Sequence, residues 1–171
     1  AAVATGLAPT VSLAQVTHPE GFNPEDWVLV ASVINTTNPY MISNIEGAEA
    51  MAKALGIPLE IVNSNGSSQT SISNILAILA SGKKPIMFVN TVASSDAPTI
   101  VDAVGRAGGY VSIWWNKPDE FKPQEVGDHF VAFQKHPGVE SGRCGAQALA
   151  DALGGKGNVV LLPGVPDSTT S

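Results

Sequence analysis

The chain has 171 residues, of which 44% are apolar and 14% charged, a composition typical of a folded globular protein with its own core. The net charge of −6 and the scattered basic residues argue against a surface for nucleic acid or anionic membrane. The single cysteine, Cys144, excludes an intramolecular disulfide and a cysteine-based zinc site, and no apolar run reaches transmembrane length.

The first residues have the composition of an export signal. Residues 1–15 are uncharged and rich in small residues, and Ser12-Leu13-Ala14 before Gln15 has the small-x-small form of a signal-peptidase site. We therefore expect residues 1–14 to be the tail of a secretory signal and the mature protein to be periplasmic. The alternative is a flexible N-terminal extension. Residues 15–26, with two prolines and a glycine, are expected to be a linker.

Strands and helices alternate from Trp27 onward. The apolar run Trp27 to Ile34 predicts a strand buried on both faces. Asn38 suits the N-cap and Pro39 the first position of a helix that ends at Leu55 before Gly56. The alternation continues with strands at 59–63, 86–89 and 110–114 and with two helices, whose apolar stripes are Ile72, Ile75, Leu76, Leu79 and Ala97, Ile100, Val101, Val104. The pattern predicts an α/β fold with a parallel sheet flanked by helices.

An acidic, proline-bearing connection at 116–127 precedes a further strand at 129–133. A helix at 141–153 follows, with Ala146, Leu149, Ala150 and Leu153 expected to face inward, and then a sixth strand at 158–162. We therefore expect an N-terminal lobe at 27–118, a hinge or crossover at 119–127 and the first β-α-β of a second lobe at 128–171. We expect the chain to be a fragment of a longer protein.

Asparagines stand at or next to the ends of the first four predicted strands: Asn35, Asn63, Asn90 and Asn116. In a parallel sheet these ends meet at one edge, where open α/β sheets bind ligands. An amide both donates and accepts hydrogen bonds, which suits the hydroxyl groups of a sugar or polyol. The alternative is that each amide serves its own loop, since asparagine often bonds to nearby backbone, and Asn38 is expected to be a cap first.

Three aromatic residues, Tyr40, Trp114 and Trp115, lie near the same edge and could stack on the apolar face of a ring. Because neighbouring strand residues point to opposite faces, only one tryptophan can face the edge, and the other is expected in the core. No arginine or glycine-rich phosphate nest occurs in these loops. The pattern favours a neutral polyhydroxylated ligand.

Enzyme signatures are weak. His18, His129 and His136 lack metal-ligand spacing, and the sequence has no nucleophile elbow, P-loop or dinucleotide fingerprint. We find no acid–base pair at the strand ends and Cys144 is expected to be inert packing. We therefore expect no catalytic residue, no cofactor and no metal.

Several short motifs together resemble the sugar-binding subfamily of type I periplasmic binding proteins of ABC transporters, the ribose-binding-like group. Asn38-Pro39-Tyr40-Met41 is similar to that family's asparagine-proline-aromatic-aromatic segment at the start of its first helix. Gly47-Ala48-Glu49, Ala54-Leu55-Gly56, Asn90-Thr91 with Ser95-Asp96-Ala97, and Gly164 to Ser171 fit other family segments. The resemblance implies two α/β lobes, joined by three crossovers, that close like a hinge on a solute.

The resemblance also implies site residues and partners. It assigns ligand contacts to Asn35, Asn38, Tyr40 and Met41, to which our reading of the strand ends adds Asn90. Trp115 and Asn116 fall where the family commonly has aspartate then arginine, and this departure removes bidentate recognition of the sugar. Gln134-Lys135-His136 also departs from the usual aspartate-asparagine. The implied partners are a small-molecule solute and a transporter permease, and we expect no nucleic acid and a monomer.

Three alternatives stay open. A transcription regulator of the lactose-repressor type shares this core, but residues 1–26 lack the basic residues and helical period of a DNA-binding domain. An enzyme of flavodoxin-like fold would need a nucleophile or an acid–base pair where amides stand. A binding protein that serves a chemoreceptor or sensor kinase has the same sequence features as a transport receptor.

Overall fold

The computed structural model describes residues 17–134 and 138–162. Five strands form one parallel sheet in the order β2-β1-β3-β4-β5: β1 (Trp27–Val33), β2 (Leu59–Asn63), β3 (Lys84–Asn90), β4 (Tyr110–Trp114) and β5 (Phe130–Gln134). The helices are α1 (Pro39–Leu55), α2 (Ser68–Leu79), α3 (Asp96–Arg106), α4 (Pro123–Val126) and α5 (Gly138–Ala152). The expected α/β class with a helix-flanked parallel sheet is confirmed. Residues 1–16, 135–137 and 163–171, including the expected signal tail, lie outside the described residues.

Local signals set the limits of α1. The Asn38 Oδ1 accepts a hydrogen bond from the Tyr40 backbone N–H at 2.9 Å, and Pro39 occupies the first turn, where its missing N–H costs nothing. Gly56 ends the helix with φ of 65°, a left-handed conformation that glycine adopts without strain. The helix therefore starts right beside the carboxyl end of β1.

Apolar side chains pack on both faces of the sheet, in one cluster on one face and in two clusters on the other. Val30 and Val89 pack with Ile75 of α2 and Ile100 of α3. On the other face, Leu29 packs with Ala52 of α1 and Ile57, while Val33 packs with Met41 and Trp114. The sheet is thus covered by α2 and α3 on one face and by α1 on the other.

The sequence placed residues 128–134 in a second lobe, and here the structure requires a correction. β5 pairs in parallel with β4, so this strand belongs to the same sheet as β1–β4. The connection at 119–127, expected to be a crossover between lobes, joins two neighbouring strands and contains the short helix α4. A short apolar strand has the same local pattern in either lobe, so its pairing partner could not be read from that pattern.

The structure of the last described residues differs from two expectations. Residues 158–162 form no strand, and α5 has no buried residue; Leu149 and Leu153, expected to face inward, are 48% and 42% exposed. An apolar segment becomes a strand only when a neighbour satisfies its backbone groups, and none of the described segments pairs with 158–162. α5 and residues 158–162 therefore present an uncovered apolar surface.

The described part of the expected linker is packed rather than loose. His18 stacks on Phe22 at 4.7 Å, Phe22 on Trp27 at 5.7 Å, and Trp27 on Tyr110 at 6.0 Å between ring centroids. Phe22 also packs against the Leu29 cluster. This aromatic row lies at the amino ends of the strands, away from the edge at which we expect ligand. Among the helices described, none is long and apolar enough to cross a membrane.

Candidate functional site

The candidate site lies at the carboxyl ends of β1, β3 and β4. We call the surface that contains Tyr40, Asn90, Trp114, Trp115 and Asn116 the carboxyl rim. Asn90 and Trp114 are directly paired at the last positions of β3 and β4. Tyr40 is added by the first turn of α1. Parallel strands and one capped helix thus bring Tyr40 and Asn116 to the same surface, although these residues are 76 positions apart in the sequence.

The two asparagines after β1 shape the loop that carries Tyr40. The Asn35 Oδ1 accepts hydrogen bonds from the backbone N–H groups of Thr37 at 3.2 Å and Asn38 at 2.8 Å. The Asn38 Oδ1 caps α1 as described above. Both side-chain oxygens therefore accept hydrogen bonds from nearby backbone N–H groups. This is the alternative considered in the sequence analysis, in which each amide bonds within its own loop. The amide nitrogens take no part in these bonds.

The rim's most exposed large side chain is Tyr40, at 49% exposure. Its ring stacks on Trp115 with centroids 5.9 Å apart and an interplanar angle of 24°, and meets Trp114 edge-on at 5.6 Å and 61°. Trp114 in turn stacks on Phe88 at 5.0 Å and 6°. The rim is therefore an aromatic surface backed by an aromatic core.

The two adjacent tryptophans have different environments, as expected. Trp114 is 1% exposed and packs with Val33 and Met41, whereas Trp115 is half-buried at the surface. Met41, which the resemblance placed among the ligand contacts, is itself fully buried in this cluster. The structure places Met41 beneath the rim, where it supports the tryptophans rather than facing solvent.

Asn90 contributes a buried polar group. Its side chain is fully buried, its Nδ2 donates to the Trp114 carbonyl at 3.5 Å, and its Oδ1 has no hydrogen-bond partner among the described residues. The indole Nε1 of Trp114 is buried without a partner as well. A buried unpaired polar atom costs free energy, so a native structure seldom keeps one without a ligand or water nearby.

Asn116 ties two loops together. Its Nδ2 donates to the carbonyls of Thr91 at 2.9 Å and Val92 at 3.3 Å, and the Thr91 hydroxyl donates to the Asn116 carbonyl. The side chain is 4% exposed. The amide expected to contact ligand therefore holds the loop after β3 against the loop after β4, next to Trp115.

The sequence did not single out Lys117, and it named Asp96 only within the family-like segment Ser95-Asp96-Ala97. The Lys117 side chain, 6% exposed, donates to the carbonyls of Pro118 at 2.9 Å and Asp119 at 3.4 Å and lies over the Phe133 ring at 4.5 Å. The only sequence signal for these contacts of Lys117 was its position directly after the rim. Its charge is directed into the lobe.

The Asp96 carboxylate joins α2 to the loop before α3. It accepts hydrogen bonds from the Ser68 hydroxyl at 2.7 Å and the Ala93 N–H at 3.0 Å, and the residue is 5% exposed. We expect Asp96→Ala to lower the free energy of unfolding by about 2 kcal/mol, because both donors lose a buried acceptor. Urea unfolding measures this loss.

A matched control for this change is Asp102→Ala. Asp102 lies on the same helix in an exposed ion pair with Arg106, so its loss should cost no more than about 0.5 kcal/mol. Equal losses in the free energy of unfolding would show that the Asp96 carboxylate stabilises the protein no more than the exposed Asp102 carboxylate does.

A cavity of about 320 Å³ lies between α1 and the sheet, lined by Leu29, Ser43, Met51 and Phe88 among others. It is apolar and faces the middle of the strands. At the rim, Tyr40 is exposed and Trp115 half-buried. Within residues 17–134 and 138–162, no group of three histidine, cysteine or acidic side chains could hold a metal ion.

Comparison with known proteins gives a family. The sequence profile of a family described as "Periplasmic binding protein domain" matches residues 29–171. A curated relative is the ribose import binding protein RbsB of Bacillus subtilis, 26% identical over 149 residues that make up 87% of this chain and 46% of the relative.

Solved structures agree with this fold. A twin-arginine translocation pathway signal protein from Burkholderia phytofirmans is 35% identical with a TM-score of 0.76, over 84% of this chain and 45% of that one. A myo-inositol-bound ABC transporter solute binding protein from Bacillus halodurans is 18% identical with a TM-score of 0.68, over 86% and 49%. The latter shows the fold alone. The chain spans about half the length of these proteins.

Proposed function

The chain belongs to the periplasmic binding protein domain family, as the resemblance indicated, and on this premise we propose that it is part of a solute receptor. The receptor would bind a sugar or a sugar-like polyhydroxylated molecule without chemical change and deliver it to an ABC transporter permease. The observation that carries this proposal is the carboxyl rim, where aromatic rings and amides meet at the strand ends.

The chemistry of the rim supports a binding role. Tyr40 and Trp115 offer apolar ring faces, and Asn90 has a carbonyl oxygen without a partner among described residues. Together these groups suit a ring that has an apolar C–H face and hydroxyl edges. One relative is named for ribose import, and one structural neighbour for bound myo-inositol. Both compounds have a ring with C–H groups and hydroxyl groups.

We propose that a second lobe completes the cleft and that the lobes close on the ligand. One support is that the chain spans about half the length of its relatives. Another is that α5 and residues 158–162 have exposed apolar side chains. Because β5 belongs to the first sheet, the change of lobe is proposed to follow β5 rather than precede it.

We also propose a periplasmic location, reached through an export signal that ends near residue 14. Support comes from the small-x-small pattern at Ser12 to Ala14 and from a structural neighbour that is named for the twin-arginine pathway. The receptor is proposed to act as a monomer.

Calorimetric titration of the full natural protein tests this function. The panel is neutral monosaccharides, cyclitols, nucleosides and amino acids. We expect one polyhydroxylated compound to bind at a single site with a micromolar or lower dissociation constant, and the rest to bind far more weakly. Preference for a nucleoside or amino acid, or no binding by a folded protein, would contradict the proposal.

A further inference from the structure

The residues before β1 form a folded segment, and we call residues 18–26 the amino-terminal strap. The Phe22 N–H donates to the Pro19 carbonyl at 3.1 Å, which closes a turn. Asn23 then caps a short 3-10 helix, with its Oδ1 accepting a hydrogen bond from the Glu25 N–H at 3.3 Å. Local hydrogen bonds therefore shape the strap up to the start of β1.

The aromatic row fixes this strap to the amino ends of three strands. Phe22 of the strap stacks on His18 and on Trp27. Trp27 begins β1 and stacks on Tyr110, which begins β4, so the row crosses β3, the strand between them. The Lys84 ammonium, at the start of β3, lies 5.5 Å from the centre of the Trp27 ring. Side chains of β1, β3 and β4 thus support the strap.

Phe22 also connects the strap to the core. Its half-buried ring packs against the cluster that contains Leu29, Ala52 and Ile57. Opening the strap would return this ring to water and break its two ring contacts. Because β1 has seven residues, the strap lies about 20 Å from the carboxyl rim. It is therefore separate from the surface proposed to bind ligand.

The strap starts shortly after the proposed end of the export signal. Three residues, Gln15 to Thr17, separate His18 from a cut after Ala14. A protease binds several residues of its substrate in an extended conformation, so it cuts a folded segment only when that segment opens locally. A cut after Ala14 would lie outside the strap, whereas a cut within residues 19–26 would require the strap to open.

We propose that the amino-terminal strap sets the limit of proteolytic processing at the amino end of the mature protein, and that the aromatic row keeps the strap closed. Proteases can shorten the chain as far as the strap and stop there, because the residues that follow are held in the folded lobe. This limit does not depend on which solute the receptor binds. Only the position of the first cut rests on the proposed export.

Limited digestion of the full natural protein with proteinase K tests this limit. This protease accepts most side chains, so the folding of the chain decides where it cuts. Mass spectrometry follows the amino end of the resistant fragment over time. The same digestion is run on Phe22→Ala, on Tyr110→Ala, which leaves the strap sequence unchanged, and on the control Leu76→Ala. Leu76 is 46% exposed on α2, outside the aromatic row.

We expect the wild-type fragment to retain Phe22 for as long as the lobe stays intact. The strap should be removed at least about tenfold faster from Phe22→Ala and Tyr110→Ala, because the cleavage rate follows the population of open strap. Leu76→Ala should match wild type. Far-UV circular dichroism shows whether each variant is folded, and the wild-type result needs no variant.

Two results would overturn the inference. One is a wild-type fragment that starts after Phe22 while the lobe stays intact. The other is removal of the strap from folded Phe22→Ala and Tyr110→Ala at the wild-type rate. Both are measured without ligand, so neither affects the proposed receptor function. Failure of every solute to bind would contradict that function and leave the strap unaffected.

Discussion

Asn116→Ala is expected to lower the free energy of unfolding by about 3 kcal/mol and to weaken ligand binding as well. The substitution leaves the buried carbonyl of Thr91 and the partly buried carbonyl of Val92 without their amide donor, and an unpaired buried group costs about 1–3 kcal/mol. Affinity should fall because the loop that carries Trp115 loses its attachment to the loop after β3. Urea unfolding and calorimetry measure the two effects.

Asn63→Ala is the matched control. Asn63 is also an amide at the end of a strand, but it is half-buried and its two side-chain bonds are exposed: Nδ2 donates to the Thr36 hydroxyl at 3.4 Å, and Oδ1 accepts from the Asn65 N–H at 3.0 Å. We expect its loss to cost less than about 1 kcal/mol. If Asn116→Ala is as stable as Asn63→Ala, the loop-tying role of Asn116 is wrong. Unchanged ligand affinity in Asn116→Ala would show that this loop attachment is not needed for ligand binding.

Gly109→Ala should be at least as damaging to stability, with an expected loss of about 3 kcal/mol or more. A Cβ at this position would lie 2.3 Å from the Pro85 carbonyl oxygen and 2.3 Å from its ring. Pro85 belongs to β3, so the neighbouring backbone would have to move and β3 and β4 would separate near their amino ends. Urea unfolding of the natural protein measures the loss.

Gly47→Ala provides the comparison. Gly47 lies inside α1, and a Cβ there meets nothing within 4 Å. Alanine is the better helix former, so this variant should gain about 0.5–1 kcal/mol. If both alanine variants are as stable as wild type, the close approach of Gly109 to Pro85 is not required for stability.

Features with local causes could be predicted from the sequence. Asn38 and Gly56 mark the two ends of α1 because capping depends on residues next to the helix. One buried and one half-buried tryptophan could be expected, but not by strand alternation, because Trp115 lies beyond β4 with a φ of 80° and its ring is 5.5 Å from that of Trp114. The parallel sheet follows from the alternation of strands and helices.

Features with distant causes could not be predicted. The Asn116 amide bonds to carbonyls that lie 24 and 25 residues earlier in the chain, and only the folded loops bring these groups together. β5 was assigned to the wrong lobe because strand pairing depends on the whole sheet. Residues 158–162 have a strand's composition, but composition alone supplies no pairing partner.

Tryptophan fluorescence of the full natural protein, titrated with the calorimetric panel, tests most directly whether the carboxyl rim is the ligand wall. Trp115 should change its environment when a ligand stacks on the rim, so we predict a saturable change with one neutral polyhydroxylated compound and its loss in Trp115→Phe. A saturable change that is identical in Trp115→Phe would place the ligand elsewhere. A folded protein that binds its ligand with no change in fluorescence would contradict the account.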